Sequence, residues 1–278
     1  TCAIISGYYG LPIWIGVGAA LALGAVIGLI NGILVIRTAV PSFIVTLGTL
    51  FAVAGMTLGF SVLVTGTTSV AIKVPEAKWL LGDFIAGIYQ VTIFWWIAAA
   101  LFWSFVLHAS PLGNWIFAMG GDKVSARNAG IPTERMTVML FVCSGMSAAF
   151  VGLSQAILYN SAQVAGGQSF IFNSIISVVV GGVLLTGGFG SVVGIFFGTI
   201  TFAIVNQGIY YTDFDRNWSS LIIGVLLLLA VASLLWVYIA GLRWQRRADA
   251  ELLTSCFQRL QARDSVIASL RASHDEVQ

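Results

Sequence analysis

The chain has 278 residues, of which 58% are hydrophobic and only 9% charged, where soluble domains carry roughly 25%. That balance excludes a soluble globular protein and indicates one that crosses a membrane several times. The net charge is only +2, and six of the thirteen basic residues (Arg243, Arg246, Arg247, Arg259, Arg263, Arg271) crowd into the C-terminal stretch, so no nucleic-acid partner is expected.

The chain begins at Thr1 without an initiator Met and without a basic stretch ahead of an apolar core. No cleavable signal is expected, and a fragment of a longer protein is. A helix needs about 20 mostly apolar residues to cross the hydrocarbon core. By that measure seven segments are expected, at about residues 11–36, 41–64, 91–108, 137–158, 171–186, 191–210 and 219–240. The expected fold is all-α, a polytopic membrane bundle.

The first segment carries Gly16, Ala20, Gly24, Gly28 and Gly32, a flat stripe where a second helix can approach closely. Gly190, Gly194 and Gly198 repeat the device, as do Gly55 with Gly59 and Gly145 with Ala149. Gly48, Gly55 and Gly59 punctuate the second segment and the fifth is short. Either is a candidate half-helix, tolerated only where its backbone is shielded from lipid. Between the second and third segments, residues 65–90 mix charges with Trp79, Leu80, Leu81, Phe84 and Ile85. They are expected to form an amphipathic helix on the surface, as a lid or a partner site.

Residues 110–136 (SPLGNWIFAMGGDKVSARNAGIPTERM) are the longest polar interruption. They hold Lys123, Arg127 and Arg135 against Asp122 and Glu134, so this loop is expected to face the cytoplasm. Gly120 and Gly121 break the chain, Asp122 can cap a following helix, and Gly130 with Pro132 stops it. A short helix with Ser125, Ala126 and Ala129 on it suits docking into a groove of another protein. Arg37 and the Arg243, Arg246, Arg247 cluster fall on the same side, which places the C-terminus in the cytoplasm. Residues 241–278 read as a cytoplasmic amphipathic tail, with Leu253, Phe257, Leu260 and Ile267 near one helical face.

No Asp, Glu, Lys or Arg sits mid-segment, which counts against an ion-coupled carrier or pump. His108 and His274 have no triad or metal-ligand arrangement around them, Cys2, Cys143 and Cys256 form no framework, and no GxxxxGK[ST] is present. No enzyme activity, metal or cofactor is expected. The polar groups within the segments are neutral, among them Thr46, Asn173, Ser174, Ser177, Asn206 and Gln207. Amides and hydroxyls can line a path for an uncharged, hydroxyl-rich solute, or bridge helices.

Several stretches resemble the inner-membrane permeases of ribose-type bacterial ABC importers. They are PSFIVTLGTL at 41–50, LGNWIFAMGGDKVSARNAGI at 112–131, SAQVAGG at 161–167 and VVVGGVLLTGGFGSVVGIFFG at 178–198. The second is similar to the family's loop LGRxxxAxGGNxxAAxxxGI, matching at Leu112, Gly113, Ala118, Gly120, Gly121, Ala126, Gly130 and Ile131, with Asp122 where Asn is usual. Ile171 and Asn173 stand where Glu and Asp are common, and Val183 and Leu184 replace a Thr-Ser pair. Family members usually carry further spans, with a GIDLSVG-like stretch, ahead of the point where this chain begins.

The resemblance implies a permease domain over 1–240 that moves a small neutral sugar or polyol across the bacterial inner membrane. Gly113, Gly120, Gly121, Asp122, Ala126, Arg127, Gly130 and Ile131 would form the coupling loop for a separate P-loop ATPase subunit. A second permease copy and an extracytoplasmic sugar-binding protein would complete the assembly. An ATP-independent channel for neutral solutes and a truncated, inactive permease remain the alternatives.

Overall fold

The computed structural model describes residues 1–38, 40–72, 75–85, 87, 89–185, 187–211, 221–222, 224–225, 227–229 and 231–232. The expected seventh segment, 219–240, is described only at those few positions, which are helical. The tail at 241–278 lies outside the described residues. The chain divides into two compact units, Thr1–Gly208 and Ile209–Gln278.

A π-helical turn at Ala3–Tyr8 leads into α1 (Ile13–Arg37), which runs uncharged until its last residue. There the guanidinium meets the negative end of the helix dipole. Helix α2 (Ser42–Thr65) follows and is continuous. Its glycines do not break it, because a backbone N–H or C=O released into hydrocarbon has nothing else to bond, and that outweighs the roughly 1 kcal/mol by which glycine disfavours a helix. The next stretch holds β1 (Ser69–Ala71), α3 (Pro75–Leu81), β2 (Phe84–Ile85) and β3 (Tyr89–Gln90). Helix α4 (Val91–Ala109) returns the chain to the 110–136 loop, which holds α5 (Pro111–Gly121) and α6 (Lys123–Asn128). Helix α7 (Thr133–Leu158), β4 (Ser161–Gln163), α8 (Gln168–Val180) and α9 (Val192–Tyr210) complete the sequence of elements.

Among the described residues four helices, α1, α2, α4 and α7, are long and apolar enough to cross a membrane. Helix α8 has 13 residues, about 20 Å at 1.5 Å per residue, against a hydrocarbon core of about 30 Å. It stops at Val180 and not at 186, because Gly182 turns to φ +81°, outside the right-handed helical region.

Helices α1 and α7 make the main contact, and the glycine stripe is what allows it. A methyl group on Gly24 would stand 2.6 Å from the Gly145 carbonyl oxygen and 2.8 Å from Ala149 Cβ. One on Gly28 would stand 2.8 Å from Val142 Cα, and one on Gly32 2.9 Å from Val138 Cα. Gly48, Gly55 and Gly59 of α2 face open space instead.

At the far end of α7 from the 110–136 loop lies the apolar core of Cys2, Ile13, Ala77, Leu81, Leu153 and Ile157. Helix α3 is thus a lid over α1 and α7, with Ala77 and Leu81 turned inward and the Trp95 indole donating to the Leu80 carbonyl at 2.9 Å. Beside it β1 pairs antiparallel with β4, and β2 with β3, two short ladders in a chain read as wholly helical.

Candidate functional site

The 110–136 loop is built from local signals that each do one job. Pro111 opens α5 at a position where the missing N–H costs nothing. Gly113 allows the sharp α4–α5 elbow, since any side chain there would run into the Leu107 carbonyl. Asp122 ends α5 and caps α6, its carboxylate accepting from the Val124 N–H at 3.1 Å and the Ser125 N–H at 3.2 Å. The Ser125 hydroxyl donates to the same carboxylate, and these hydrogen bonds to the charged form hold the Asp122 carboxyl below its ordinary range, the hydroxyl contributing most. The Asn usual at this position in the resembled family also caps with a side-chain oxygen, so the exchange conserves the function of the cap.

The other end of α6 is a Schellman motif. The Ile131 N–H donates to the Ala126 carbonyl at 3.1 Å and the Gly130 N–H to the Arg127 carbonyl at 3.0 Å, with Gly130 left-handed at φ +86°. The helix is therefore fixed at both ends. Its outward residues are Lys123, Val124, Ser125, Arg127 and Asn128, Val124 being 67% exposed. Ala126 is 4% exposed and faces the protein. It seats α6 and does not offer a surface. Arg127 lies 3.5 Å from Glu134, both well exposed.

Gly120 joins this loop to a distant part of the chain. A methyl group on Gly120 would lie 2.5 Å from the Gly188 nitrogen, and one on Gly187 would lie 2.7 Å from the Gly120 carbonyl oxygen. Gly121 shares the contact, its Cα being 3.0 Å from where a Gly188 methyl would sit. Nothing local signals the contact beyond the paired glycines themselves.

The 187–190 turn in turn holds α8 to α9. Gly190 packs on Val183, the Leu184 N–H donates to the Phe189 carbonyl at 3.2 Å, and a methyl on Gly181 would lie 2.6 Å from the Gly194 carbonyl. A methyl on Gly198 would lie 2.6 Å from the Gly181 nitrogen and would also meet the Ser177 carbonyl. Val183 and Leu184, which stand where the resembled family commonly has Thr and Ser, are thus part of the scaffold of this turn.

Of the neutral polar residues, Asn173, Ser174 and Ser177 lie on α8 and Asn206 and Gln207 on α9. The two helices are antiparallel, pinned at Gly181–Gly194 and Ser177–Gly198. Ser177 is 6% exposed and its hydroxyl donates to the Asn173 carbonyl at 2.8 Å, while Ser174 donates to the Ile171 carbonyl at 2.9 Å. Their donors are used within the helix, which leaves the amides as the groups with free donors and acceptors. Thr46 lies apart on α2, which packs against α1 and the Ala3–Tyr8 turn, and its hydroxyl bonds to its own helix at 3.0 Å. Among the described residues no cluster of His, Cys, Asp or Glu has metal-ligand geometry.

Residues 1–231 match the family described as "Branched-chain amino acid transport system / permease component". The galactose/methyl galactoside import permease protein MglC of Haemophilus influenzae is 32% identical over 225 residues, covering 80% of this chain and 67% of that protein. The fructose import permease protein FrcC of Rhizobium meliloti is 30% identical over 237 residues, 82% of this chain and 64% of its own length. The ribose import permease protein RbsC of Escherichia coli is 30% identical over 248 residues, 83% of this chain and 72% of its own length. The chain therefore spans about two thirds of the length of the relatives it matches. No solved structure gives a significant match.

Proposed function

The chain belongs to the family of transport-system permease components, and from that premise we propose that it is the membrane-spanning permease subunit of an ABC importer for a small neutral sugar or polyol. The relatives are import permeases for galactose, fructose and ribose. The neutral amides and hydroxyls within its helices suit such a solute. ATP hydrolysis belongs to a separate chain.

The observation that carries this reading is the doubly capped α6, rigid in itself, exposed along Lys123, Val124, Arg127 and Asn128, and tied through Gly120 to the 187–190 turn. A P-loop ATPase docks on that face, and Gly113, Gly121, Asp122, Ala126, Gly130 and Ile131 hold it in shape. A second permease copy completes the path, and a sugar-binding protein delivers solute from outside. Residues 1–240 form the permease domain with seven membrane segments, and 241–278 a cytoplasmic tail. Asn173, Ser174, Ser177, Asn206 and Gln207 line the path from α8 and α9, and Thr46 contributes from α2. The excess of basic residues on the side of α6 supports a cytoplasmic position for that face in a bacterial inner-membrane protein.

The test is co-purification from native membranes followed by uptake of labelled ribose, galactose and fructose in vesicles, with and without the recovered ATPase. ATP-dependent uptake of one of the three supports the proposal. Uptake that proceeds equally without any ATPase would overturn it in favour of a passive channel.

A further inference from the structure

Beside the α6 docking face, a cleft of about 490 Å³ opens between the end of α1 and the start of α7. It begins just past the last close helix–helix contact, where Gly32 meets Val138. Its walls are Ile33, Val138 and Met139, and Ile33 and Met139 remain 42% and 40% exposed. At its mouth stand Arg37, from the last turn of α1, and Arg135, from the first turn of α7, both exposed. Glu134 also lines the mouth, but its carboxylate is engaged by Arg127 at 3.5 Å. The mouth therefore keeps a net positive charge.

We infer that this cleft binds an anionic phospholipid, its phosphate held between Arg37 and Arg135 and the start of an acyl chain along Ile33, Val138 and Met139. Three observations converge on a lipid rather than on a soluble anion. Both walls belong to helices long and apolar enough to cross a membrane, so the cleft opens into the bilayer. The charged mouth sits at the ends of those helices, at headgroup level. The interior is apolar, which a free phosphate does not use. Guanidinium forks match a phosphate with paired hydrogen bonds, and basic pockets between transmembrane helices suit anionic headgroups. This rests on the membrane embedding of α1 and α7 and not on the importer reading. Its failure and the failure of that reading are therefore separable.

The test titrates the detergent-purified full chain with fluorescent phosphatidylglycerol and with fluorescent phosphatidylcholine. At about one unit of free energy per guanidinium, two of them give a preference for phosphatidylglycerol of roughly 30-fold. Arg37→Gln combined with Arg135→Gln should reduce it to near parity, whereas Arg37→Lys with Arg135→Lys should keep most of it. In the unmodified chain the preference should shrink at high salt. Equal binding of the two lipids, a preference untouched by salt, or competition by inorganic phosphate alone would each overturn the assignment.

Discussion

Gly120 and Gly188 meet backbone to backbone, and a methyl group on the first would stand 2.5 Å from the nitrogen of the second. Two stretches far apart in sequence, the loop that carries α6 and the turn that joins α8 to α9, thus touch with no side chain between them. Gly120→Ala should separate them. Overpacking of this kind costs about 1–3 kcal/mol, and Gly188→Ala adds the strain of a left-handed φ of +77°. Both variants should keep the ATPase in pull-downs, because the α6 face is intact, and lose ATP-driven uptake. Uptake at the unmodified rate would show that the contact transmits nothing.

The α1–α7 stripe gives a contrast between glycines that look alike in sequence. Gly28→Ala forces a methyl against the Phe141 carbonyl and Val142 Cα. Thermal unfolding in detergent should show a loss of about 1–3 kcal/mol. Gly48→Ala and Gly55→Ala place a methyl in open space. These should be neutral or gain up to about 1 kcal/mol from helix propensity.

The proposed docking face separates from its support. Arg127→Glu changes an exposed charge, breaks the pair with Glu134 and should weaken ATPase recovery while leaving the melting curve in place. Ala126→Trp attacks the buried seat of α6 and should lower both. Equal effects of the two variants on stability would contradict the assignment of outward and inward faces.

Asp122 gives the loop a pH dependence. Its carboxyl titrates below its ordinary value of 3.8, so its charged form is favoured by the folded loop. The capping contribution is present in full above the unfolded value. It is lost as pH falls through the lower, folded value. Amide exchange at Val124 and Ser125 should therefore stay protected past the ordinary carboxylate value of 3.8 and lose protection only as pH falls through the lower, folded value. In Asp122→Ala the protection should be weak at every pH.

The sequence carried the bounds of α6 because its stops are local: an acidic cap, then a glycine and a proline. It carried α1 and α7 because long uncharged runs have few alternatives in a bilayer. It did not carry the end of α8. Residues 183–185 are as apolar as the helix before them, and only the backbone turn at Gly182 shows where helix stops. Nor did it show which way Ala126 faces, since six residues are too few for a periodicity to declare itself. The Gly120–Gly188 contact is non-local, and a glycine pair in sequence does not name its partner. Thr46, Asn173, Ser174, Ser177, Asn206 and Gln207 stand out in the sequence by their chemistry alone. Five of them lie on α8 and α9, and Thr46 lies on α2.

The ladder of Ser69–Ala71 with Ser161–Gln163, reinforced by the Ser69 and Ser161 hydroxyls 3.0 Å apart, fastens the segment after α2 to the segment after α7. Helix α7 is already locked to α1 along the glycine stripe. A strap at one end and a seam along the middle leave these three helices to travel as a single leaf. Articulation then falls to the α4–α5 elbow at Gly113, inside the loop through which force would enter, and to the glycine turn at 187–190 that touches it at Gly120.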